Sequence, residues 1–309
     1  MLFEYAVEPQ AIGSSWQNFR YLIEKFGFDR GRLIAQFPKG WTKLVHDASA
    51  GMKNVERLRL VEALNQAKKS KLIRSGRPYD PAIGTWLDNA TAQQAAAPFH
   101  AIIALENPTA RNDVLLVDDA DEAHPLMACA HAWEVQRTGG ALASAMAPML
   151  RAARTVLFVD PFFDIRRPHY CETLKASLDL IAAAGGAPPR CEIHFRDHDA
   201  RPPAELIERN AHRWLKDVLP GGFSVSLFAW KQKVGGEDLH ARDLFTDVGA
   251  LNVEAGFEAL GAHQSVRLSL LSDALAAQGL AKFARTGTAY DLVQPILKIN
   301  ADGSVEREP

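Results

Sequence analysis

The amino-acid sequence predicts an α/β protein with a mixed sheet, preceded by a small helical domain. Three observations support this prediction. The first ninety or so residues show helical periodicity, strands alternate with helices after residue 98, and basic residues concentrate near the start of the chain. Of the 309 residues, 47% are apolar and 23% are charged, which is ordinary for globular proteins. The chain is therefore expected to form packed cores.

The first part of the chain, residues 1–95, is predicted to form a basic helical domain. Helices are predicted over residues 16–26, 30–37 and 54–71. Ser14 and Ser15 can cap the first of these helices, and Pro38 ends the second. The third ends in a basic turn, which the helix dipole favours and which could also bind phosphate.

The charge is distributed unevenly along the chain. Residues 1–79 hold 14 Lys and Arg against 7 Asp and Glu, a net charge of +7, whereas residues 80–309 hold 21 against 30, a net charge of −9. One interpretation is that the basic part meets an anionic partner, such as nucleic acid or an acidic protein surface. The other is that it packs against the acidic remainder of its own chain.

Basic side chains of the N-terminal part are candidates for nucleic-acid binding. Trp41 lies between Lys39 and Lys43, which would combine charge for phosphate with a flat face for stacking. The preferred interpretation of Trp41 itself is a residue of the helical core. No motif for sequence-specific binding is present, so contact would be with the nucleic-acid backbone. The candidates are Lys39, Lys43, Lys68, Lys69, Lys71, Arg74 and Arg77.

The second part, residues 96–309, alternates between strands and helices after a junction at residues 91–98. Strands are predicted over residues 99–104, 114–118, 155–160, 191–195, 223–228 and 266–271. Helices are predicted over residues 139–153, 170–184, 204–219 and 273–285. This alternation predicts an α/β sandwich with a mixed sheet.

One motif in this part points to a chemistry. His240, Arg242 and Asp247 follow the spacing H-x-R-x4-D and lead into a hairpin turn. This pattern resembles the HKD motif, H-x-K-x4-D, of the phospholipase D superfamily. The strand VLFVDPFFD at residues 156–164 is similar to the "DPY" strand of many phospholipase D-like domains. The resemblance implies a phospholipase D-like α/β sandwich.

The resemblance also implies roles for the motif residues. His240 would be the nucleophile that forms a phosphohistidine, or the general acid in the partner subunit. Arg242 would bind the phosphate, and Asp247 would be a supporting carboxylate at the hairpin turn. The reaction requires no metal or cofactor. Because the chain has one motif, an active form is expected to be a homodimer that pairs two His240 side chains. The substrate would be a nucleic acid.

The sequence departs from the family pattern in two places. Arg242 stands where the family has Lys, and residues 254–257 (Glu-Ala-Gly-Phe) stand where it has G-S-x-N. Asn252 is the nearest amide and a candidate phosphate ligand. The altered pattern is similar to the phospholipase D-like C-terminal domain of microtubule-interacting-and-trafficking proteins, which binds ligands without known hydrolysis. The alternative is therefore a catalytically degenerate module that binds nucleic acid, a phosphorylated ligand or a protein partner.

Three further residues are candidates for the same pocket. His194 and Arg196 lie at the end of a predicted strand, where pockets of open α/β sheets form. The run to Asp199 could hold a metal or be a solvated loop, and the second interpretation is preferred, so no metal site is predicted. Asp160 could cap the turn after its strand or orient a histidine.

The remaining features bear on location and partners. The three cysteines lack C-x-x-C spacing, the N-terminus lacks a signal-peptide pattern, and no apolar run is long enough for a membrane span. A cytoplasmic protein is expected, and a role in defence against foreign DNA would fit such an arrangement. A third hypothesis is a structural subunit of a larger complex.

Overall fold

The structure, a computed structural model that describes residues 1–308, consists of two units, Met1–His131 and Ala132–Pro309. Each unit contains one β-sheet. The sequence predicts the boundary after residue 95, whereas the structure places it after His131. The reason is that two strands predicted for the second domain join the first sheet: residues 101–104 pair with the first strand of the chain, and residues 114–116 pair with residues 101–104.

The first unit is an α/β unit and not the helical domain that the sequence predicted. Its sheet has five parallel strands in the order β3-β2-β1-β4-β5. The elements are β1 (Phe3–Val7), α1 (Pro9–Gly13), α2 (Trp16–Lys25), β2 (Arg32–Gln36), α3 (Trp41–Ala48), α4 (Asn54–Ser70), β3 (Leu72–Arg74), α5 (Trp86–Gln93), β4 (Ala101–Ala104) and β5 (Val114–Leu116).

Two of the three predicted N-terminal helices are confirmed, and one is a strand. α2 and α4 form where expected, and the Ser15 side chain caps α2 by accepting a hydrogen bond from the Asn18 N–H at 3.3 Å. Residues 30–37, predicted as a helix, contain β2. Its apolar run is buried on both faces between two parallel strands, and such a short run has no periodicity that separates a strand from a helix.

The basic charge of residues 1–79 is balanced inside the first unit. The unit as a whole contains 15 Lys and Arg and 15 Asp and Glu, because the segment that follows residue 79 is acidic. Glu122, for example, accepts a hydrogen bond from the buried Arg32 at 2.9 Å and also pairs with Lys25. The +7 segment therefore packs with acidic chain of its own unit, which is the second of the two interpretations of the charge pattern.

The second unit contains a nine-stranded mixed sheet in the order β14-β13-β9-β8-β7-β10-β11-β12-β6. β7, β8 and β9 are parallel, and the other neighbours are antiparallel. The elements are β6 (Ala132–Arg137), α6 (Gly139–Ala152), β7 (Thr155–Val159), α7 (Pro168–Ala183), β8 (Arg190–Arg196), α8 (Ala204–Trp214), β9 (Ser224–Lys231), β10 (Asp243–Thr246), β11 (Ala250–Val253), β12 (Gly261–Leu271), α9 (Asp273–Lys282), β13 (Asp291–Asn300) and β14 (Val305–Glu308). The predicted mixed sheet and its helices are confirmed.

The core of this unit holds the central strands in place. On one face, apolar side chains of β7, β9 and β10 pack with Ala276 of α9 and with Phe283. Gly279 lets α9 approach the sheet closely, since a Cβ there would lie 2.1 Å from the Phe245 ring. None of the helices in residues 1–308 is long and apolar enough to cross a membrane.

Candidate active site

The candidate site lies at one edge of the nine-stranded sheet. The parallel strands β7, β8 and β9 all end at this edge, and β10, which runs antiparallel to β7, begins there. The turn after β7, the end of β8 and the loop before β10 are therefore neighbours. The Arg196 N–H donates a hydrogen bond to the Pro161 carbonyl, and the Arg196 side chain lies 3.6 Å from Asp238. Ligand sites of open α/β sheets form at this kind of edge.

His240 lies in the loop just before β10, and its side chain is 73% exposed. Its Nε2 atom is 2.7 Å from Oδ2 of Asp238. A carboxylate accepts hydrogen bonds, so Nε2 carries a hydrogen, and in the neutral ring Nδ1 then has the free lone pair. Asp238 also lies 3.6 Å from Nη1 of Arg196, at the end of β8. The carboxylate that orients the motif histidine is thus Asp238.

Arg242 follows His240 by two residues, so their Cα atoms are at most ~7 Å apart. Its Nη1 donates a hydrogen bond to the Glu254 carbonyl at 3.0 Å, and its guanidinium carbon lies 5.0 Å from the centre of the Phe162 ring. An arginine has five N–H donors, and this bond uses one of them. The guanidinium is therefore held in a fixed position and keeps donors for an anion.

Asp160, at the end of β7, is 1% exposed. It accepts hydrogen bonds from the N–H groups of Phe162 at 2.9 Å and Phe257 at 3.1 Å. Burial raises the pKa of this carboxyl, while the two backbone donors and the charges of Arg242 and Arg201 oppose that rise. Asp160 thus joins the turn after β7 to the loop after β11, and its carboxylate binds backbone N–H groups and not a histidine.

The loop at residues 254–257 occupies the position where the family resemblance expects Ser and Asn. Gly256 has φ +77°, and a Cβ there would lie 2.2 Å from Oδ2 of Asp160, so this position requires glycine. Arg137 fixes the same loop by donating hydrogen bonds to the Ala255 and Glu258 carbonyls at 3.2 and 3.3 Å. The Glu254 side chain is exposed, and its carbonyl faces Arg242.

His194 is a core residue and not a pocket residue, which corrects the prediction. It is fully buried and stacks on Phe228 with ring centres 4.6 Å apart. Nδ1 accepts a hydrogen bond from the Trp230 indole at 3.0 Å, and Nε2 lies 3.1 Å from the buried Glu192 carboxylate. Burial lowers the pKa of His194, and Glu192 opposes this shift. Because the ring is fully buried, it is not exposed to a ligand.

Asn252 and Asp247 also lie away from the candidate site. Asn252 is directly opposite Asp243 in the β10–β11 pair and donates a hydrogen bond to its carboxylate at 2.8 Å. Successive strand residues alternate between faces, so both point away from the face of Arg242. Burial raises the pKa of Asp243, and the hydrogen bond from Asn252 opposes this rise.

Asp247 lies at the far end of β10, seven residues from His240, or ~20 Å at the rise of a strand. Its Oδ1 accepts hydrogen bonds from the Arg154 and Thr155 N–H groups at 2.8 and 3.2 Å, where β7 begins. It binds the backbone at the start of β7 beside the hairpin turn, and it does not contact the reactive end of the motif.

The predicted basic residues of the first unit do not form one surface. Lys39 and Arg74 are exposed at the carboxyl ends of β2 and β3, with Lys43 on the helix that follows β2. Lys68 and Lys69 end α4 just before β3 begins, at the opposite edge of this parallel sheet. Two others have structural roles: Lys71 donates a hydrogen bond to the Phe26 carbonyl at 2.6 Å, and Arg77 pairs with Glu4 at 2.8 Å and covers the Phe99 ring.

Sequence reasoning missed three contributors to the site: Asp238, Phe162 and Arg137. Asp238 and Phe162 lie close in sequence to predicted residues, and a carboxylate two positions before the motif histidine was the available signal. Arg137 belongs to β6, which the sequence analysis did not predict. Among residues 1–308, no three His, Cys, Asp or Glu side chains converge as metal ligands, so the run from His194 to Asp199 does not build such a cluster.

Comparisons with known proteins give two structural likenesses. No family model matches the chain, and no curated protein matches it. Among solved structures, the chain is similar to Nuc, a phospholipase D family member from Salmonella typhimurium, with 10% identity, a TM-score of 0.32, and coverage of 53% of this chain and 97% of that one. It is also similar to TrmBL2, an archaeal chromatin protein with a DNA-binding mode of its own, with 15% identity, a TM-score of 0.26, and coverage of 77% and 84%.

Proposed function

We propose that the second unit is a phospholipase D-like phosphodiesterase that cleaves nucleic acid through a phosphohistidine at His240. The observation that carries this proposal is the pair of His240 and Asp238, 2.7 Å apart and open to solvent, two residues from Arg242. A nucleophile, a group that orients it and a fixed cation are the parts that phosphoryl transfer requires.

The reaction follows from the hydrogen bond to Asp238. With Nε2 as the hydrogen-bond donor, the Nδ1 lone pair of His240 attacks the phosphorus, an N–P bond forms, and the P–O bond to the leaving group breaks. A protonated His240 of the partner subunit gives its proton to the leaving oxygen. Water then attacks the phosphorus, the N–P bond breaks, and the proton released from water returns to the histidine of the partner subunit.

The cations of the site stabilise the charge that develops during transfer. The phosphate oxygens would meet the free donors of Arg242, which Phe162 and the Glu254 carbonyl hold in place. Arg196, 44% exposed and close to Asp238, would add a second cation. Asp238 is a positioning residue here, because it acts through His240 and not on the substrate.

A homodimer is part of this proposal because each chain has a single motif. Two copies related by a two-fold axis would face each other with their His240 side chains, and each active centre would then contain one nucleophile and one acid. The chemistry uses no metal or cofactor, since both roles belong to imidazole groups. The exposed Lys39 and Lys43 would add affinity for an anionic polymer.

The experiment is cleavage of single-stranded DNA, double-stranded DNA and RNA by the full chain in excess EDTA. Wild type is compared with His240→Ala and, as a control, with His263→Ala, which removes another exposed histidine of the same unit. We expect wild type and the control to cleave, and His240→Ala to lose at least ~10³-fold in rate. Cleavage by His240→Ala at the wild-type rate, or cleavage abolished by EDTA, would overturn the proposal.

A second candidate function is a non-catalytic module that binds a phosphate-bearing ligand at the same place. The loop at residues 254–257 supports it, because this loop lacks the family's Ser and Asn and its backbone takes up one donor of Arg242. In the same experiment, this function predicts no cleavage by any of the three proteins together with retained binding of the nucleic acid. Arg242→Ala would then weaken binding, whereas His240→Ala would leave it nearly unchanged.

A further inference from the structure

Phe162 is an exposed aromatic side chain at the candidate site. It lies in the turn after β7, and half of its surface, 50%, is open to solvent. Its neighbours in the chain differ: Pro161 is buried, and Phe163 is buried against Tyr170 with ring centres 5.2 Å apart. Of the two phenylalanine rings in this turn, Phe163 is therefore buried in the core and Phe162 is not.

The backbone on both sides of Phe162 is fixed. Its own N–H donates to the buried Asp160, and Arg201 donates hydrogen bonds to the carbonyls of Pro161 and Phe163. Arg201 itself is mostly buried and lies over the Phe195 ring. A ring on a turn held at three points loses little conformational entropy when a ligand stacks on it, which favours binding.

The charge next to the ring has the geometry that a nucleotide requires. The Arg242 guanidinium lies 5.0 Å from the ring centre, and its free donors can bind a phosphate. A flat apolar surface directly beside a phosphate-binding cation matches the two parts of a nucleotide, a base and a phosphate. The base must be unpaired and unstacked to present its face, which a single strand allows and a duplex does not.

We propose that Phe162 is a stacking platform for an unpaired nucleobase next to the phosphate held by Arg242, so that the ligand of this site is a single-stranded nucleic acid. This inference rests on the proposed function, because it assumes that Arg242 binds a phosphodiester. It goes further in naming the strand state of the substrate and the residue that selects it. DNA and RNA share the chemistry involved, and both are tested.

The experiment measures, by fluorescence anisotropy at low salt, the binding of labelled oligothymidine and oligouridine to the chain of 309 residues. Phe162→Ala should weaken binding roughly 5- to 150-fold, the effect of one lost base–aromatic stack. Phe162→Trp should restore wild-type affinity, because it keeps an aromatic face. Leu275→Ala is the matched control, since Leu275 is also 50% exposed but lies on α9, and it should leave affinity unchanged.

A ligand without bases provides the decisive comparison. On an oligonucleotide that lacks all of its bases, Phe162→Ala should weaken binding much less than on the normal strand, because only the contact of the ring with Arg242 is lost and no base stack is. Wild type should bind a duplex of the same sequence more weakly than the single strand. An equal effect of Phe162→Ala on normal and abasic strands, no effect on either, or failure of Phe162→Trp to restore affinity would overturn the proposal.

The two proposals can fail separately. Ring-dependent binding without cleavage would refute hydrolysis at His240 and support the platform. Cleavage that requires His240, with affinity for normal strands unaffected by Phe162→Ala, would refute the platform and support hydrolysis.

Discussion

His194 lies in the middle of the nine-stranded sheet, whereas His240 lies at the edge where β10 begins. His194 is fully buried, stacks on Phe228, and has both ring nitrogens paired with side chains of its own unit. His240 is 73% exposed and has one nitrogen paired with Asp238. Histidine thus has a structural role at position 194, whereas at position 240 it is accessible to solvent. The difference comes from the residues that surround each side chain.

The largest expected effect is on stability at the buried histidine. His194→Ala removes a stacked ring, leaves a cavity and takes away the acceptor of the Trp230 indole, so we expect a loss of about 3–5 kcal/mol in the free energy of unfolding. His240→Ala should change it by less than about 0.5 kcal/mol, because the side chain is exposed. Urea unfolding of the two variants checks this, and equal losses would contradict the comparison.

The next largest expected effect is on stability at the loop of residues 254–257, which packs against Asp160. Gly256→Ala places a Cβ against a buried carboxylate at a positive φ, and we expect a loss of about 2–3 kcal/mol together with lower activity, since the loop also contacts Arg242. Gly185→Ala is the control: φ is +72° there, but nothing lies within 4 Å of the added Cβ. It should cost about 1 kcal/mol. Similar losses in both variants would show that the contact with Asp160 has no energetic role.

We expect the carboxylates of Asp247 and Asp238 to have different roles, the first in stability and the second in the reaction. Asp247→Ala leaves two backbone N–H groups at the start of β7 without this acceptor, and we expect a loss of about 1–2 kcal/mol in the free energy of unfolding with unchanged activity per folded molecule.

Asp238→Asn should leave stability unchanged and lower kcat, with a shifted pH–rate profile, because it alters the partner of His240. Thermal unfolding and steady-state kinetics check both, and the opposite pattern would refute the assignment of Asp238.

The smallest effect is a pH dependence of stability. Burial lowers the pKa of His194 in the folded state, so below the unfolded pKa near ~6.5 the unfolded chain binds a proton that the folded chain does not. Stability from this residue is therefore present above that pH and is lost as the pH falls, by about 1 kcal/mol per pH unit. His194→Gln, which keeps an acceptor and a donor but does not titrate, should show a flatter profile between pH 7 and 5 in calorimetry. Parallel profiles would contradict this account.

Elements of the second unit could be predicted where their pattern is local. β7 is an apolar run of strand length, and in β8 the apolar residues Cys191, Ile193 and Phe195 alternate with polar ones. Helical segments alternate with these strands, so the mixed sheet could be predicted from the sequence. β2 could not, because its three consecutive apolar residues, Leu33–Ala35, fit a strand and a helix equally well until the parallel neighbours bury them on both faces.

The site could be predicted only where it follows the motif. His240 and Arg242 were found by their spacing, and Asp160 by its place at the end of a strand. His194 was misassigned because its burial and its partners depend on Trp230 and Phe228. These residues are distant in sequence and become its neighbours only when β8 pairs with β9. The structural role of Asp247 likewise depends on a distant partner, the start of β7.

The measurement that tests the central claim most directly is the trapping of a covalent intermediate on His240. The protein is mixed with a radiolabelled single-stranded oligonucleotide and quenched with alkali, which preserves phosphohistidine. It is then digested for peptide mapping. The account predicts a label on the peptide that contains His240, and none on that peptide in His240→Ala. Cleavage of the oligonucleotide with no label at His240, or a label at another residue, would contradict it.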